Sequence, residues 1–270
     1  MPLGEHASNF NLEKAICNHG LFMMAPNCWN PSTKSFQRPL RLTNATDSVN
    51  VSVSHPTGQD FLVIHVYDVE ILSSEDRQTI MNQIVRMLRI SNKDESDLRE
   101  FHAIHAEAKH QGFGRLFRSP SLFEDIIKSI LLCNTTANYI LQFARKVENG
   151  KINLHKYEEE GASCELLYKL LKDNKGFGPF VCANILFCIG FYEKVPTDSE
   201  TIRHLKEVHS RESCDAKTVH KDVKEIYDKY APFQCLAFWM ELLESYEKKC
   251  GKLSELDNSQ YHIVPGNIKL

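Results

Sequence analysis

The sequence predicts a mainly helical protein with an antiparallel β-sheet at its N-terminal end, an α+β fold class. In the first third, Val49, Val51 and Val53 alternate strictly with polar residues, which is the period of a half-buried strand. From Ser74 onward the apolar residues recur at helical spacing instead. With 270 residues, 42% of them hydrophobic and 25% charged, the chain is long enough to build one large core or two smaller ones.

Two more segments of the first third are predicted strands. Residues 36–42 are short and apolar, and residues 61–67 are rich in β-branched and aromatic side chains. The run His55-Pro56-Thr57-Gly58 has the composition of a turn between the last two strands. We therefore expect a small antiparallel sheet in a β-rich N-terminal domain, 1–73.

The rest of the chain is predicted to be helical, with a core domain over 74–250, built as two helical lobes around a cleft, and a loosely ordered tail over 251–270. Ser74-Glu75-Asp76 provides a helix cap, and the face that follows it contains Ile80, Ile84, Met87, Leu88 and Ser91. In the next helix, Phe123, Ile127, Ile130 and Leu131 form an apolar stripe whose helical continuation is Asn134. Further helices are predicted over 164–173 and 179–190, the second with Pro179 at its first position.

The bulk composition restricts the class of protein. Nine scattered cysteines without a CxxC pair indicate reduced thiols and predict neither a zinc nor an iron-sulfur site. Without an evident targeting or membrane-spanning segment, we expect a nuclear or cytosolic protein. The net charge of -3 argues mildly against nucleic acid, but a basic face remains possible because 112–151 contains Arg115, Arg118, Lys128, Arg145, Lys146 and Lys151.

The turn between the last two predicted helices contains two glycines, Gly176 and Gly178. Glycines permit a tight turn and a close backbone approach to a ligand. The helix that starts directly after them presents free N–H groups and a positive dipole end, which suit a phosphate. A plain turn between two packed helices is the alternative interpretation.

A carboxylate, Asp198, follows Gly178 by twenty positions in the segment Val195-Pro196-Thr197-Asp198-Ser199-Glu200. A carboxylate at a helix start in a cleft can stabilise positive charge on a sugar as a base departs, and it can orient the attacking water. The structural alternative is a capping box over Thr197 to Glu200, with Asp198 as a first-turn acid. Both roles can hold at once.

Taken in order, these segments resemble the HhH-GPD superfamily of DNA glycosylases, in its 8-oxoguanine and 3-methyladenine branches. The resemblance covers nearly the whole chain and rests on the Gly-x-Gly hairpin, the Val-Pro-x-Asp segment, the helix from Ser119-Pro120 to Cys133-Asn134, and the segment from Tyr230-Ala231-Pro232-Phe233 to Trp239. It implies a helix-hairpin-helix glycosylase fold and double-stranded DNA with a damaged base as the partner.

The resemblance also assigns roles to single residues. It implies catalysis by Asp198, insertion of Asn134 into the gap left by the extruded base, and stacking of that base on Trp239 beside Cys235. Trp239 as a core residue and Asn134 as a helix cap are the alternatives. Phosphate binding falls to the hairpin, Gly176, Phe177, Gly178, Pro179 and Phe180. The resemblance implies no organic cofactor, but it implies a monovalent cation at the hairpin.

The departures from the family pattern affect the expected reaction. Phe180 stands where bifunctional members have the lysine that forms a Schiff base, so water attack is expected instead. Asn174-Lys175 replaces a common Leu-Pro, and Cys235 replaces a polar amide of the 8-oxoguanine enzymes.

The sequence therefore predicts a monofunctional glycosylase that acts as a monomer and leaves an abasic site, without AP lyase activity. The alternatives are a catalytically silent DNA-binding protein of the same fold and an ordinary helical scaffold with a chance hairpin.

Overall fold

The computed structural model describes residues 1–133, 137–159 and 161–264. Four strands form one antiparallel sheet in the order β1-β2-β3-β4. Their bounds are Cys28–Asn30 for β1, Ser35–Arg41 for β2, Ser48–Ser54 for β3 and Val63–Val66 for β4. The predicted α+β class and its N-terminal sheet are confirmed, and β1 is a short strand that the sequence pattern did not indicate.

Helices account for most of the remaining described chain. They are α1 Leu12–Ile16, α2 Ser74–Leu88, α3 Asn92–Ile104, α4 Ala106–Gln111, α5 Leu122–Leu131, α6 Ala137–Glu148, α7 Cys164–Lys172, α8 Pro179–Ile189, α9 Ser199–His209, α10 Val219–Tyr227 and α11 Gln234–Cys250. Among the described residues, none of these helices combines the length and the apolar character that crossing a bilayer requires.

The contacts divide the chain into two compact units, which we call the first and the second unit. The first unit joins Met1–Ser121 to the chain from Leu243 onward, and the second unit is Leu122–Leu242. This division differs from the predicted boundary at 73/74. The strands of the sheet precede residue 74 and α2 begins there, but α2 packs against β2 and therefore belongs to the same unit as the sheet.

The alternation in β3 buries one face of the sheet, as predicted. Val49, Val51 and Val53 are buried, whereas Ser48 and Asn50 are exposed. The predicted face of α2 is also buried, with one difference. The helix ends at Leu88, and Ser91 caps α3 by accepting a hydrogen bond from the Asp94 N–H instead of continuing the face of α2.

The C-terminal segment packs into the first unit, in contrast to the loosely ordered tail that was predicted. Trp29 Nε1 donates to the Ser254 carbonyl oxygen at 2.9 Å, and the Phe22 and Tyr261 ring centroids lie 5.5 Å apart. Leu253 and Val264 are buried as well. Residues 265–270 lie outside the described residues.

The second unit is built around α8, whose residues from Val181 to Cys188 are all buried. Helices α5 and α7 pack against α8. The apolar stripe of α5 is shifted from the predicted one, because Ile126 and Ile130 are buried while Phe123 and Leu131 are exposed. On α7 the two leucines nearest the core are Leu167 and Leu171, and their neighbours Leu166 and Leu170 face solvent.

Candidate active site

The hairpin links α7 to α8 through residues 173–178, as the sequence predicts. Gly176 has a φ of +90°, and a Cβ built on it would lie 2.9 Å from the Tyr139 ring. Any other residue type would meet both backbone strain and a steric clash at this position. The glycine is therefore required by the turn itself.

Gly178 plays a different part, because its φ of -77° suits any residue and nothing lies within 4 Å of a Cβ placed there. It is the N-cap of α8, without a side-chain cap, and Pro179 follows at the first helical position. The N–H groups of Phe180 and Val181 have no hydrogen-bond acceptor among the described residues. The start of α8 thus offers two backbone donors beside an exposed, open glycine, which is the arrangement that binds anions.

The hairpin is held by buried contacts on its inner side. Phe177 is buried, its ring centroid lies 5.2 Å from that of Phe143, and its N–H donates to the Asn174 carbonyl oxygen. The Asn174 amide donates to the Leu170 carbonyl oxygen at 3.1 Å and accepts from Lys146 Nζ at 3.0 Å. Asn174, one of the departures from the family pattern, therefore closes the end of α7 and attaches it to α6.

Lysines lie at the hairpin, but several basic residues of the segment 112–151 are paired with acidic residues and are not free to bind phosphate. Lys175 Nζ lies 5.8 Å from the Tyr139 ring centroid, and Lys172 and Lys175 are both exposed. Three predicted members of the basic face are instead held in ion pairs: Arg115 with Glu95, Arg118 with Asp94 and Lys128 with Glu124. Arg115 and Arg118 belong to the first unit and Lys128 to the second, so these residues do not form one free basic face, whereas Lys172 and Lys175 offer exposed positive charge at the hairpin.

Asp198 is the N-cap of α9, one position later than the capping box considered for Thr197. Its Oδ1 accepts a hydrogen bond from the Thr201 N–H at 2.8 Å. The Thr201 hydroxyl also lies 2.9 Å from Oδ1, and it lies 2.6 Å from the Pro196 carbonyl oxygen. The Thr201 contacts hold the carboxylate through Oδ1, and the Glu200 backbone also hydrogen-bonds to this side chain.

Burial raises the pKa of Asp198, and the Thr201 hydrogen bonds lower it by less. The negative charge of Asp198 also acts on Cys133, which lies just after the end of α5. Burial and, second, Asp198 raise the pKa of the Cys133 thiol to about 11. Cys133 directly precedes Asn134, and Asn134 itself lies outside the described residues, so its wedge role stays a prediction.

The predicted base-pocket residues lie one turn apart on α11. Trp239 is half-buried, and its ring packs edge-on against Phe187 of α8 and against Phe238, with centroid distances of 6.3 and 5.6 Å. Cys235 is fully buried, and its N–H donates to the Tyr192 carbonyl oxygen at 2.8 Å. Trp239 thus packs against the second hairpin helix, and its stacking role stays a prediction.

Phe180, at the position of the Schiff-base lysine, is half-buried and packs against the apolar core of the second unit. The nearest lysines in the sequence are occupied elsewhere: Lys175 lies over Tyr139, and Lys194 pairs with Glu165 at 2.5 Å. The hydrogen bond that Lys194 donates to Glu165 raises the pKa of Lys194, which keeps that amine protonated.

The sequence interpretation missed Asn184, which lies one turn after Phe180 on α8. Its side chain is 1% exposed, and neither its amide nitrogen nor its amide oxygen has a hydrogen-bond partner among the described residues. An unsatisfied buried amide is costly, so such groups usually serve a ligand or a water. The available signal was a single polar residue within the apolar run from Val181 to Ile189.

The monovalent cation implied by the resemblance would need carbonyl oxygens at the hairpin. The Phe177 carbonyl oxygen fits this requirement, since its partner is the Cys182 thiol, a weak donor, at 3.8 Å. The cation stays a prediction.

Comparison with solved structures identifies the class of fold to which this arrangement belongs. No protein-family model and no curated protein sequence matches the chain. Solved structures do match it, among them a 3-methyladenine DNA glycosylase and an 8-oxoguanine glycosylase/lyase, so the predicted glycosylase fold is confirmed.

Two of these structures illustrate the likeness. The 3-methyladenine DNA glycosylase from Archaeoglobus fulgidus is 17% identical, with a TM-score of 0.60, over 87% of this chain and 96% of that chain. The 8-oxoguanine glycosylase/lyase of Clostridium acetobutylicum, in its apo form, is 13% identical, with a TM-score of 0.59, over 86% and 91% of the two chains. At these identities the likeness shows the glycosylase fold.

The Clostridium acetobutylicum protein has also been solved in complex with double-stranded DNA containing cytosine opposite 8-oxoguanine. That structure has a TM-score of 0.58 and 13% identity over 88% of this chain and 93% of that chain.

Proposed function

We propose that this chain is a base-excision DNA glycosylase that hydrolyses the N-glycosidic bond of a damaged base flipped out of double-stranded DNA. A fold alone does not decide a function, so the proposal depends on the site. The observation that carries it is the carboxylate of Asp198, partly buried and held at the start of α9 by hydrogen bonds from Thr201. The fold of DNA glycosylases supports the same conclusion.

The proposed chemistry at Asp198 is hydrolysis. As the bond between C1′ and the base breaks, the electron pair leaves with the base and positive charge develops on the deoxyribose, which the carboxylate stabilises. Water attacks C1′, and its proton passes to Asp198 or to the departing base. Burial raises the pKa of Asp198, which makes its carboxylate a stronger proton acceptor than an exposed aspartate.

The proposed reaction stops at an abasic site, because the position that holds the Schiff-base lysine in bifunctional members of the resembled family is not a lysine in this chain. Phe180 occupies the relevant position, and Lys194 is held protonated by Glu165. One of the structures with this fold is named a glycosylase/lyase, so the fold is compatible with both outcomes and the residue at 180 is what favours hydrolysis here.

The proposed DNA contacts are made by backbone N–H groups, lysines and side chains that can bind a phosphate or a base. Phosphate would be bound by the backbone donors at Phe180 and Val181, supported by exposed lysines near the hairpin. The extruded base would stack on Trp239, with Asn134 filling the gap in the duplex. Asn184 offers a donor and an acceptor for the edge of a base.

The test is a release assay over duplexes that each contain an alkylated, an oxidised or a deaminated base. We expect the purified chain, as a monomer, to release at least one of these bases and to cleave the strand only after treatment with hot alkali. Asp198→Asn should reduce release by about 100-fold or more, because it removes the carboxylate charge, while DNA binding is unchanged. Asp215→Asn is the matched control, since Asp215 also accepts backbone N–H groups ahead of a helix.

Each other outcome has a distinct meaning. Full release by Asp198→Asn would show that this carboxylate is not catalytic, and strand cleavage without alkali would contradict the hydrolytic mechanism. Salt-dependent DNA binding without release of any base would favour the catalytically silent DNA-binding protein. The absence of DNA affinity at low salt would favour a helical scaffold.

A further inference from the structure

Four polar side chains meet in the second unit, apart from the residues assigned to base excision. His204 and His209 belong to α9, Tyr227 is the last residue of α10, and Glu241 belongs to α11. The two histidines are close in sequence, whereas Glu241 lies 32 residues after His209, and the packing of the helices brings it to them. Two imidazoles, a carboxylate and a phenol form a donor set that binds transition metals in proteins.

The donor atoms converge on a small volume. His209 Nε2 lies 2.8 Å from Glu241 Oε2, and His204 Nε2 lies 3.6 Å from the same oxygen. One ligand atom from each of His204, His209 and Glu241 lies within 4.8 Å of the other two. Four-coordinate zinc with bonds of 2.0–2.2 Å places its ligand atoms about 3.4 Å apart. The observed separations bracket that value.

The phenol of Tyr227 completes the cluster. Its hydroxyl donates to Glu241 Oε2 at 2.6 Å and lies 3.4 Å from His204 Nε2 and 3.3 Å from His209 Nε2. A hydroxyl that holds a carboxylate oxygen in place is a common support for a ligating carboxylate. Tyr227 therefore positions the ligand set whether or not it binds the metal directly.

Burial gives the cluster one closed side and one open side. His204 is fully buried, as is Tyr227, whereas the side chains of His209 and Glu241 are 22% and 26% exposed. The ion pairs that Glu241 makes within the described residues are with the two histidines, so no lysine or arginine competes for its charge there. A cation can enter from solvent and be retained by the buried imidazole.

We propose that His204, His209 and Glu241 bind one divalent transition metal ion, zinc being the best match, with Tyr227 orienting the carboxylate. The ligands are His204 Nε2, His209 Nε2 and Glu241 Oε2, and the fourth position is taken by water or by the Tyr227 hydroxyl. Neutral imidazole and carboxylate are the protonation states that ligate zinc. This ligand set contains no cysteine, so the absence of a CxxC pair does not bear on the proposed site.

The metal has a structural role in this proposal. His204 and His209 are six and eleven residues from Asp198 along α9, which corresponds to about 9 and about 16 Å at the rise of an α-helix. The proposed catalytic carboxylate is therefore not a ligand of the ion. It would fix the end of α9 to α10 and to α11, the helix that also carries Trp239. The proposal does not depend on base excision.

The experiment uses the full chain without an affinity tag, freed of metal by a chelator and then titrated with Co2+ and with Zn2+. We expect one Co2+ per chain with the visible absorption bands of a four-coordinate ion and without a thiolate charge-transfer band. Zn2+ should displace Co2+ and raise the melting temperature. Glu241→Gln and His209→Gln should each abolish both effects.

His220→Gln is the matched control, since His220 is an exposed histidine of the same unit and its loss should change neither effect. Equal metal binding by the parent chain and Glu241→Gln would overturn the proposal and leave a metal-free hydrogen-bonded cluster. Absence of four-coordinate Co2+ bands in the parent chain would overturn it as well, even if the variants fail to fold.

Discussion

A single residue, Asp198, combines an observed role as a helix cap with a proposed role in catalysis, and the two roles impose opposite requirements on its environment. As a helix cap it must accept hydrogen bonds from the start of α9, and it does so through Oδ1. As a catalytic carboxylate it must lie in a partly dry site, and burial there raises its pKa. Ionisation of a buried carboxyl costs stability, so the proposed catalytic role carries a stability cost that the cap alone would not.

This conflict predicts the effect of Asp198→Asn on stability. Asparagine caps helices about as well as aspartate and needs no ionisation. The pKa of Asp198 is raised in the folded protein, so the stability of the parent falls as the pH rises from below 3.8 through that folded-state pKa. We therefore expect Asp198→Asn to melt at a higher temperature than the parent at pH 7.

The pH series provides the control for this prediction. Well below pH 3.8 the parent carboxyl is protonated in both the folded and the unfolded state, and the difference in melting temperature should shrink. A lower melting temperature for Asp198→Asn at pH 7 would mean that the cap outweighs the cost of burying the charge.

Sequence reasoning at this scale succeeded for residues close together along the chain. The turn at Gly176 and Gly178 and the helix start at Asp198 could be predicted because such features depend on local sequence, whereas the DNA-binding and catalytic roles of these residues stay predictions. The cluster of His204 with Glu241 could not be predicted from the sequence, since only the packing of α9 on α11 brings these two residues together. Likewise, nothing local indicated that Arg115 would be paired with Glu95.

At the scale of elements, the two hairpin glycines differ in what they contribute. Gly176 adopts a left-handed conformation beside Tyr139, so Gly176→Ala should lower the free energy of unfolding by at least about 1–2 kcal/mol. Gly178 has an ordinary φ and open space around it, so Gly178→Ala should leave stability nearly unchanged. Its added methyl group would occupy the approach to the α8 donors, and DNA binding should weaken several-fold.

Urea denaturation and a DNA-binding titration separate these two effects. Gly178→Ala is the stability control for Gly176→Ala, because both add one methyl group to the same turn. Parental DNA affinity in Gly178→Ala would argue against phosphate binding at this helix start.

Element positions were largely predictable, but element faces were less so. The bounds of α7 and α8 agree with the predicted segments to within one residue at each end. The stripe on α5 was misplaced because this helix buries Asp125, Lys128 and Ser129 along with its apolar residues. Polar residues on a buried face reduce the contrast on which periodicity depends.

At the scale of the whole molecule, the first unit depends on a segment that composition alone marked as loosely ordered. The segment after Gly251 is polar on average, and its few apolar residues do not form a periodic pattern. Contacts made by Trp29 and Phe22 with residues far along the chain therefore escaped prediction. Long-range pairs of this kind are fixed by the complete fold, not by local sequence.

The packing of Tyr261 gives a test of this dependence. Tyr261→Ala should lower the free energy of unfolding of the first unit by about 3 kcal/mol, because it leaves a cavity against Phe22. Ile263→Ala, at a residue 46% exposed, should cost about 0.5 kcal/mol or less. Urea denaturation followed by Trp29 fluorescence, in a Trp239→Phe background, measures both.

Equal costs for Tyr261→Ala and Ile263→Ala would show that the C-terminal segment contributes little to the first unit. That result would restore the loosely ordered tail expected from composition.

The interrupted first unit also has a consequence for synthesis of the chain. A nascent chain emerges from its N-terminal end, and domains usually fold in that order. Here the sheet emerges first, but the unit that contains it still lacks the segment from Leu243 onward. The second unit, one continuous stretch, is complete before that segment has been translated. On the ribosome, the helices that carry the hairpin and Asp198 can thus finish folding before the earlier-made sheet gains its C-terminal contacts, such as the hydrogen bond from Trp29 to Ser254.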